Sequence, residues 1–369
     1  MKNIKFLVLF FIISTNACAF TYQIGQTNNS PATKKESSDT PVQPIPSLEV
    51  VQEELTQAEK DFEIAKKMFN PWYGGPLITG SGATLPQGLV NFQPYIYYTV
   101  NYAAFDGNRK SRSIKNLTEV NPKLALAVGI TDRIDIGILV DWIHQKQSSK
   151  SSNHFADTTL ALDIGIIKET PFIPGLKFTI AETFPTGHYQ KFNPNKAAVE
   201  STGSGAYETS FALTSSKVVW WSLLHPMVFR FSVNYTIPTK VSVTGFNSYG
   251  GGFGTKGKVT PGNEFFLSFG YEFSVYQKFV LTIDVAYEYD NRSTFKGING
   301  TILGFPAPVG TRSKDVLSLA PAIEYNFSQN LSLISGAWFS VRGRNTANFA
   351  TGIITLTYTF WYLNIFVFY

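Results

Sequence analysis

Residues 279–290 read Phe-Val-Leu-Thr-Ile-Asp-Val-Ala-Tyr-Glu-Tyr-Asp. Phe279, Leu281, Ile283, Val285, Tyr287 and Tyr289 make one alternate set, wholly apolar or aromatic. Val280, Thr282, Asp284, Ala286, Glu288 and Asp290 make the other, small and increasingly acidic. Successive side chains of a strand point to opposite faces, so this stretch is a strand with one apolar and one polar face. The dyad recurs along the chain. Ile134, Ile136, Ile138, Val140 and Trp142 oppose Arg133, Asp135, Gly137, Leu139 and Asp141. Met227, Phe229, Phe231, Val233 and Tyr235 oppose Val228, Arg230, Ser232, Asn234 and Thr236. Leu160, Leu162, Ile164 and Ile166 oppose Thr159, Ala161, Asp163 and Gly165.

Twelve such segments fall near 88–101, 117–130, 133–144, 156–167, 175–184, 206–217, 226–237, 262–274, 278–290, 314–327, 331–342 and 348–360. Each is about as long as a tilted membrane-crossing strand of roughly 9–11 residues. The connections alternate. Short ones hold Thr131-Asp132, Glu169 to Pro174, Val218 to His225, Val275 to Gln277 and Ser328 to Asn330. Long polar ones run through 102–116, 145–155, 185–205, 238–261 and 291–313, and a sixth connection on that side, 343–347, is short. An even strand count with short turns at one end and long loops at the other is the pattern of an outer-membrane barrel. The expectation is an all-β protein: a transmembrane antiparallel β-barrel of about twelve strands in the outer membrane of a Gram-negative bacterium, both termini periplasmic. The competing reading is a soluble β-sandwich or lipocalin-like barrel with the apolar face inward. Alternation alone does not say which face is which. Aromatic residues near the ends of the apolar faces (Trp142, Tyr287, Tyr289, Tyr358, Phe360) and the sheer number of apolar faces favour the membrane.

Composition agrees. Of 369 residues only 15% are charged and 15% are aromatic. That is too aromatic and too weakly charged for disorder. A net of +5 spread along the chain is no nucleic-acid footprint. One cysteine makes no internal disulfide and no thiolate cluster.

The N-terminus predicts export. Lys2 and Lys5 precede the apolar run Phe6–Ile13, and Ala17-Cys18-Ala19 supplies a small-residue cleavage site. Residues 1–19 read as a signal peptide, with Thr15 standing where a lipoprotein signal wants leucine. Their removal leaves a formal net of +3. Residues 20–47, rich in Thr, Ser, Gln, Asn and Pro, read as a disordered linker. Ser47 then caps a helix over 48–70. Its apolar residues Leu48, Val51, Leu55, Ala58, Phe62, Ala65 and Phe69 follow a heptad seam, and Asn70-Pro71 ends it. The helix is expected to lie against the barrel mouth, with self-association or plugging through 48–69 as the alternative. The barrel would occupy 71–369, ending in an apolar tail, 361–369, that breaks the alternation.

By parity the lumen receives Lys123, Arg133, Asp135, Asp141, Asp157, Asp163, Lys177 and Glu208. It also receives Arg230, Glu264, Glu272, Asp284, Glu288, Asp290, Glu324 and Arg342, making eleven acids against five bases. Isolated buried charges are costly, so most should be paired or hydrated. Either they brace a narrow barrel, or they form a charged ring that favours cations or neutral solutes. Glu182 falls on the apolar parity, which calls for a headgroup position or a bulge. The basic runs Arg109-Lys110-Ser111-Arg112 and Lys146 to Lys150 belong to loops that would meet lipopolysaccharide of the outer leaflet. Leu356, Tyr358 and Phe360 form a closing strand of the kind that barrel-assembly machinery reads.

Chemistry is sparse. The outer-membrane phospholipase also has twelve strands, but its family pattern of His, Ser two residues on, then Asn-Gly is missing at His144, His154, His188 and His225. Gly250 to Gly254 has no strand-to-helix context for a phosphate loop and reads as a flexible tip. No cofactor or metal is called for; scattered loop histidines are a better reading of His144 and His154 than a metal site.

One string stands out: Asn70-Pro71-Trp72-Tyr73-Gly74-Gly75-Pro76-Leu77-Ile78, then Ser81-Gly82, Pro86-Gln87-Gly88 and Asn91-Phe92-Gln93-Pro94-Tyr95. It resembles the entry to the first strand in outer-membrane proteins of the "MetA-pathway of phenol degradation" family. The resemblance is most specific over 70–100 and is one of pattern to about 360. It implies a barrel that admits small, often hydrophobic or aromatic compounds, with no catalytic motif to carry over. Read physically, the Gly and Pro residues shape a tight lead-in from helix to strand one. The expected function is passive passage of small molecules; the alternative is a non-conducting barrel whose loops contact a partner.

Overall fold

The computed structural model describes residues 47–68, 72–220 and 225–361. The segments read as signal peptide and linker, and the tail beyond Trp361, lie outside the described residues. One helix, α1 (Leu48–Met68), precedes the strands. Twelve strands build the wall: β1 (Leu89–Phe105), β2 (Ser111–Thr131), β3 (Ile134–Gln147), β4 (Thr158–Ile167), β5 (Gly175–Phe184) and β6 (Glu208–Val219), then β7 (Met227–Pro238), β8 (Glu264–Tyr276), β9 (Phe279–Asp290), β10 (Lys314–Ser328), β11 (Leu331–Arg344) and β12 (Thr346–Trp361). Each pairs antiparallel with its sequence neighbours. β12 returns to β1 in register from Leu89↔Trp361 to Phe105↔Thr346, which closes the barrel. Closure leaves no unpaired edge, the condition for a sheet to cross a membrane.

The faces settle the choice that alternation left open. On β9, Leu281, Ile283 and Val285 are 43%, 39% and 37% exposed, while Val280, Asp284 and Ala286 are 0–2% exposed. The same holds on β10, where Ile323, Tyr325 and Phe327 face out and Ala322, Glu324 and Asn326 face in. The apolar set points away from the barrel axis and the polar set into it. A soluble barrel has the opposite arrangement, so this is a transmembrane β-barrel. No helix among the described residues is long and apolar enough to cross a membrane.

Several local features depart from the expectations. The polar stretches at 102–116 and 145–155 are mostly paired strand, not loop. β1 and β2 continue to a tight turn at 106–110, and residues Lys150–Phe155 pair back onto β3. These extensions are polar because they stand clear of the apolar band. The other long connections fold over one end of the barrel. Val241–Thr244, Lys256–Thr260 and Thr294–Ile298 make a three-stranded sheet. Val241, Val243, Val259 and Ala206 form its buried core, with Tyr189, Tyr249 and Phe295 packed against it. Gly250 belongs to this cap and is no loose tip. Its φ is +104° and a Cβ there would lie 2.4 Å from the Pro308 carbonyl oxygen. Glu182 stays on the outward face, with no bulge around it; Thr209 Oγ1 across the β5–β6 pair donates to it at 2.7 Å. Helix α1 is exposed along most of its length. Phe62 meets the Trp220 ring edge-on at the short-turn end, with Lys217 Nζ over the Phe62 ring.

Candidate functional site: a plugged lumen with two unlike walls

The lead-in from helix to strand one does not stay at the barrel mouth. Residues 73–87 run into the lumen from the short-turn end, and inward acids of the wall hold their backbone. Glu324 accepts from the Gly74 N–H. Asp284 accepts from the Ile78 and Thr79 N–H groups at 3.2 and 3.0 Å. Ser216 Oγ accepts from Gly82 N–H at 3.1 Å, and Asp135 from Leu85 N–H at 2.8 Å. Asp132 in the β2–β3 turn accepts from Gln87 N–H at 3.2 Å, where the chain rejoins the wall. The apex of the plug lies at Asp284, the sixth residue of the twelve-residue β9, so the segment rises to about mid-wall and returns. Its extended, turn-rich backbone has no ladder of its own. Carboxylates supply the acceptors that a buried N–H needs, and such charge-assisted bonds are among the stronger ones.

Two glycines permit the close approach. A Cβ on Gly82 would lie 2.5 Å from the Ser216 backbone nitrogen, and one on Gly129 would lie 2.0 Å from the Pro86 carbonyl oxygen. Tyr73 is half-buried beside Ser274, whose hydroxyl donates to the phenol oxygen at 3.0 Å. Burial holds that phenol well above its ordinary pKa, so it stays neutral.

The lumen has a charged wall and an apolar wall. On the charged side Lys123 pairs with Asp141 at 3.2 Å, Lys177 with Asp163 at 2.7 Å, and Arg230 with Glu272. Arg230 also lies against Gly75 of the plug. On the apolar side, from β1 and β10–β12, Ala320, Ala322, Ile334 and Ile353 receive Leu77 of the plug, with Tyr95, Tyr97 and Trp338 packed against the cluster. The Tyr95 and Tyr97 rings stack at 5.7 Å. The Trp338 and Phe349 rings meet edge-on at 5.0 Å, and Trp338 Nε1 donates to Ser318 Oγ at 2.9 Å. These aromatic faces line the interior, not the membrane.

Two cavities flank the apex. One, of about 420 Å³, lies between the plug and the wall and is lined by Gly74 to Thr79, Gln93, Tyr95, Asp135, Asp163 and Arg230. The other, of about 510 Å³, lies under the long-loop cap and is lined by Asp157, Glu208, Tyr249, Glu264, Asp290 and Lys314. Lys314 Nζ there pairs with Asp290 at 2.7 Å, and Glu288 lies beside both. Asp157 is committed to the cap, accepting from Gly187 N–H and Ser204 N–H at 2.8 Å each.

Most of the residues assigned to the lumen by parity therefore face it, but two do not. Arg133 is exposed in the two-residue turn between β2 and β3, because the strand ends before it can turn inward. Arg342 is exposed on the outer side. The β10–β11 register shifts between Leu317↔Arg342 and Ser318↔Ser340, so a bulge at Val341 reverses the parity beyond it. The plugging considered for residues 48–69 falls instead to 73–87. His144 and His154 do not converge: His144 bonds Asn153, while the His154 ring lies 4.5 Å from that of His188, tilted by 40°. Among the described residues no group of three or more His, Cys, Asp or Glu side chains is placed to hold a metal.

No protein-family model matches the chain, and no curated protein matches it in sequence. In structure it is similar to the COG4313 outer membrane channel from Pseudomonas putida F1, with a TM-score of 0.59 and 14% identity over 78% of this chain and all of that one. That likeness establishes the fold class: a transmembrane barrel of the kind found in Gram-negative outer membranes. The transport unit of the autotransporter AIDA-I from Escherichia coli is also similar (TM-score 0.43, 11% identity, 82% of this chain, 99% of that one). So is the toluene transporter TodX from Pseudomonas putida (TM-score 0.34, 10% identity, 74% and 90%). These two superpose only loosely.

Proposed function

We propose that the protein is an outer-membrane channel for passive passage of small, largely nonpolar solutes, aromatic ones included. In this reading the long-loop end faces outside, and both termini and the short turns face the periplasm. The observation that carries it is the apolar wall inside an otherwise charged lumen. A water-filled pore for ions gains little from stacked Tyr95 and Tyr97 or from Trp338 and Phe349 facing its interior. A solute that must leave water without meeting unpaired charge does. On the lower part of the wall, Lys123, Lys177 and Arg230 are paired with Asp141, Asp163 and Glu272, and Asp135, Asp284 and Glu324 are spent on the plug, so little bare charge flanks the apolar wall there. Leu77 seated on this wall marks where solute and plug compete. Solute passage then requires the apex, residues 76–79, to shift while the flanking contacts at Gly74 and Leu85 hold. The resemblance of residues 70–95 to the phenol-degradation family supports the same solute class, and the similarity in fold to an outer-membrane channel supports a barrel of that architecture.

The test is uptake by proteoliposomes. A small aromatic hydrocarbon should enter several-fold faster through the protein than across protein-free vesicles, while a disaccharide of larger size should not. Equal entry of both, or of neither, would contradict the proposal. A non-conducting barrel is the second reading. The folded cap over one end and the plug in the other favour it, and it is what silence in both assays would support.

A further inference from the structure

We propose that the long-loop rim carries, on its lipid-facing side, a binding site for the phosphates of an anionic membrane glycolipid, built on Arg109, Arg342 and Arg344. The site rests on the outer-membrane reading above only for its sidedness. Its anchor is Asp315, at the start of β10. Asp315 is in register with Tyr289 on one side and Arg344 on the other, and shares the outward parity of Leu317 and Leu319. Yet its side chain is only 2% exposed, because two guanidinium groups cover it. Arg109 forks onto both carboxylate oxygens, with Nη2–Oδ2 at 3.0 Å. Arg344 approaches with Nε, at 2.8 Å from Oδ2. Among the described residues, the terminal amino groups of Arg344 have no hydrogen-bond partner. Two fixed cations share one anion, so the cluster keeps a positive charge and unspent donors.

The surroundings extend that charge. The bulge at Val341 that carries Arg342 out of the lumen sets it on this same face, and among the described residues it has no ion pair. Arg112 is tied to Asp106 at 3.1 Å but is 72% exposed. Residues 106–112, 315 and 342–344 hold five bases and two acids, a net of +3. The patch is also rigid. Asp106 Oδ1 accepts from Asn108 and Lys110 N–H, which sets Arg109 in a left-handed turn at φ +64°. Asn345 N–H donates to the Asp106 carbonyl, and Asn345 Nδ2 to the Ser313 carbonyl, so three chain segments are pinned together. Preset guanidinium groups lose little entropy on binding.

What such a site fits follows from what lies below it. Tyr98 on β1 and Val341 on β11 are outward-facing apolar residues, 53% and 50% exposed. The ligand therefore needs an anionic head at the rim and an apolar body along the wall. Guanidinium forks match phosphate oxygens in a bidentate manner, and the desolvated edge of a bilayer strengthens the contact. The geometry assigns the phosphorylated glycolipid of the outer leaflet.

The experiment titrates the purified full-length protein with bisphosphorylated lipid A, with the same lipid after dephosphorylation, and with inorganic phosphate. The phosphorylated lipid should bind at least about ten-fold more tightly than the dephosphorylated one, with affinity falling as salt rises. R342E combined with R112E, which leaves the Asp315 pairing intact, should lose most of that preference. R344A should lose it as well, and retention of a folded barrel is read from heat-modifiable gel mobility. Equal binding of the two lipids, or an unchanged preference in both variants, would overturn the proposal. So would inorganic phosphate competing as well as the lipid, which would make this a simple anion site. Binding is read without solute passage, so failure of the channel reading and failure of this one are distinguishable.

Discussion

Asp284 is the residue on which the plug most depends. It is fully buried and accepts from two consecutive backbone N–H groups, those of Ile78 and Thr79. In D284A both donors stay buried without an acceptor, at roughly 1–3 kcal/mol each. That shifts the seated-to-released ratio of the plug at least about ten-fold. Amide hydrogen exchange at 78–79 should accelerate accordingly, and unchanged protection there would contradict the assignment. Gly82 makes a second test. G82A sets a methyl 2.5 Å from the Ser216 backbone, which a flexible side chain cannot relieve, so the plug should unseat without loss of the barrel. Proteolysis within 73–87 reports it. In the cap, burial and then the neighbouring His188 lower the pKa of His154 below 6.5. The folded state thus favours neutral imidazole. Its stabilising share is present above pH 6.5 and is lost as pH falls through the lowered value. Exchange over 187–205, corrected for intrinsic rate, should quicken between pH 7.5 and pH 5, and H154F should flatten that response.

At the scale of elements, the aromatic stretch of β11 and β12 separates passage from stability. W338A empties part of the apolar wall and frees Ser318, so it should cut aromatic uptake several-fold while ion conductance changes little. A parallel loss of both would mean the wall only braces the barrel. The strands themselves were legible, because a period of two survives any tertiary context. The inward aromatics were legible in principle. Tyr95 and Tyr97 share the parity of Asn91, Gln93 and Thr99, and Trp338 that of Ser332 and Ser340. They carry no charge, so the acidic signal that marks the lumenal face passes over them. Arg342 was misplaced because a bulge leaves no mark in a simple alternation: Val341 reads as another outward residue in an unbroken strand. The plug was hidden for a different reason. Its Gly and Pro residues announce turns, but its acceptors, Asp135, Asp284 and Glu324, lie 50, 205 and 250 residues away. No local pattern links them.

For the whole molecule, an open cylinder of these strands would hold many carboxylates and few bases in a low-dielectric interior. The structure resolves this by pairing some with Lys and Arg and giving others the backbone of a single threaded segment. Charge in the lumen is thus first a means of holding a plug, and the apolar wall is what remains for solutes. The helix α1 is exposed over most of its described side chains, and Phe62 meets Trp220 at the short-turn end, outside the lumen. The most direct test is single-channel conductance in planar bilayers of three proteins: the intact chain, a chain lacking 48–68, and the D284A/E324A double variant. Low conductance is expected in the first two and a several-fold rise in the third. A rise on removing the helix, with no change in the double variant, would contradict it and move the plug to α1.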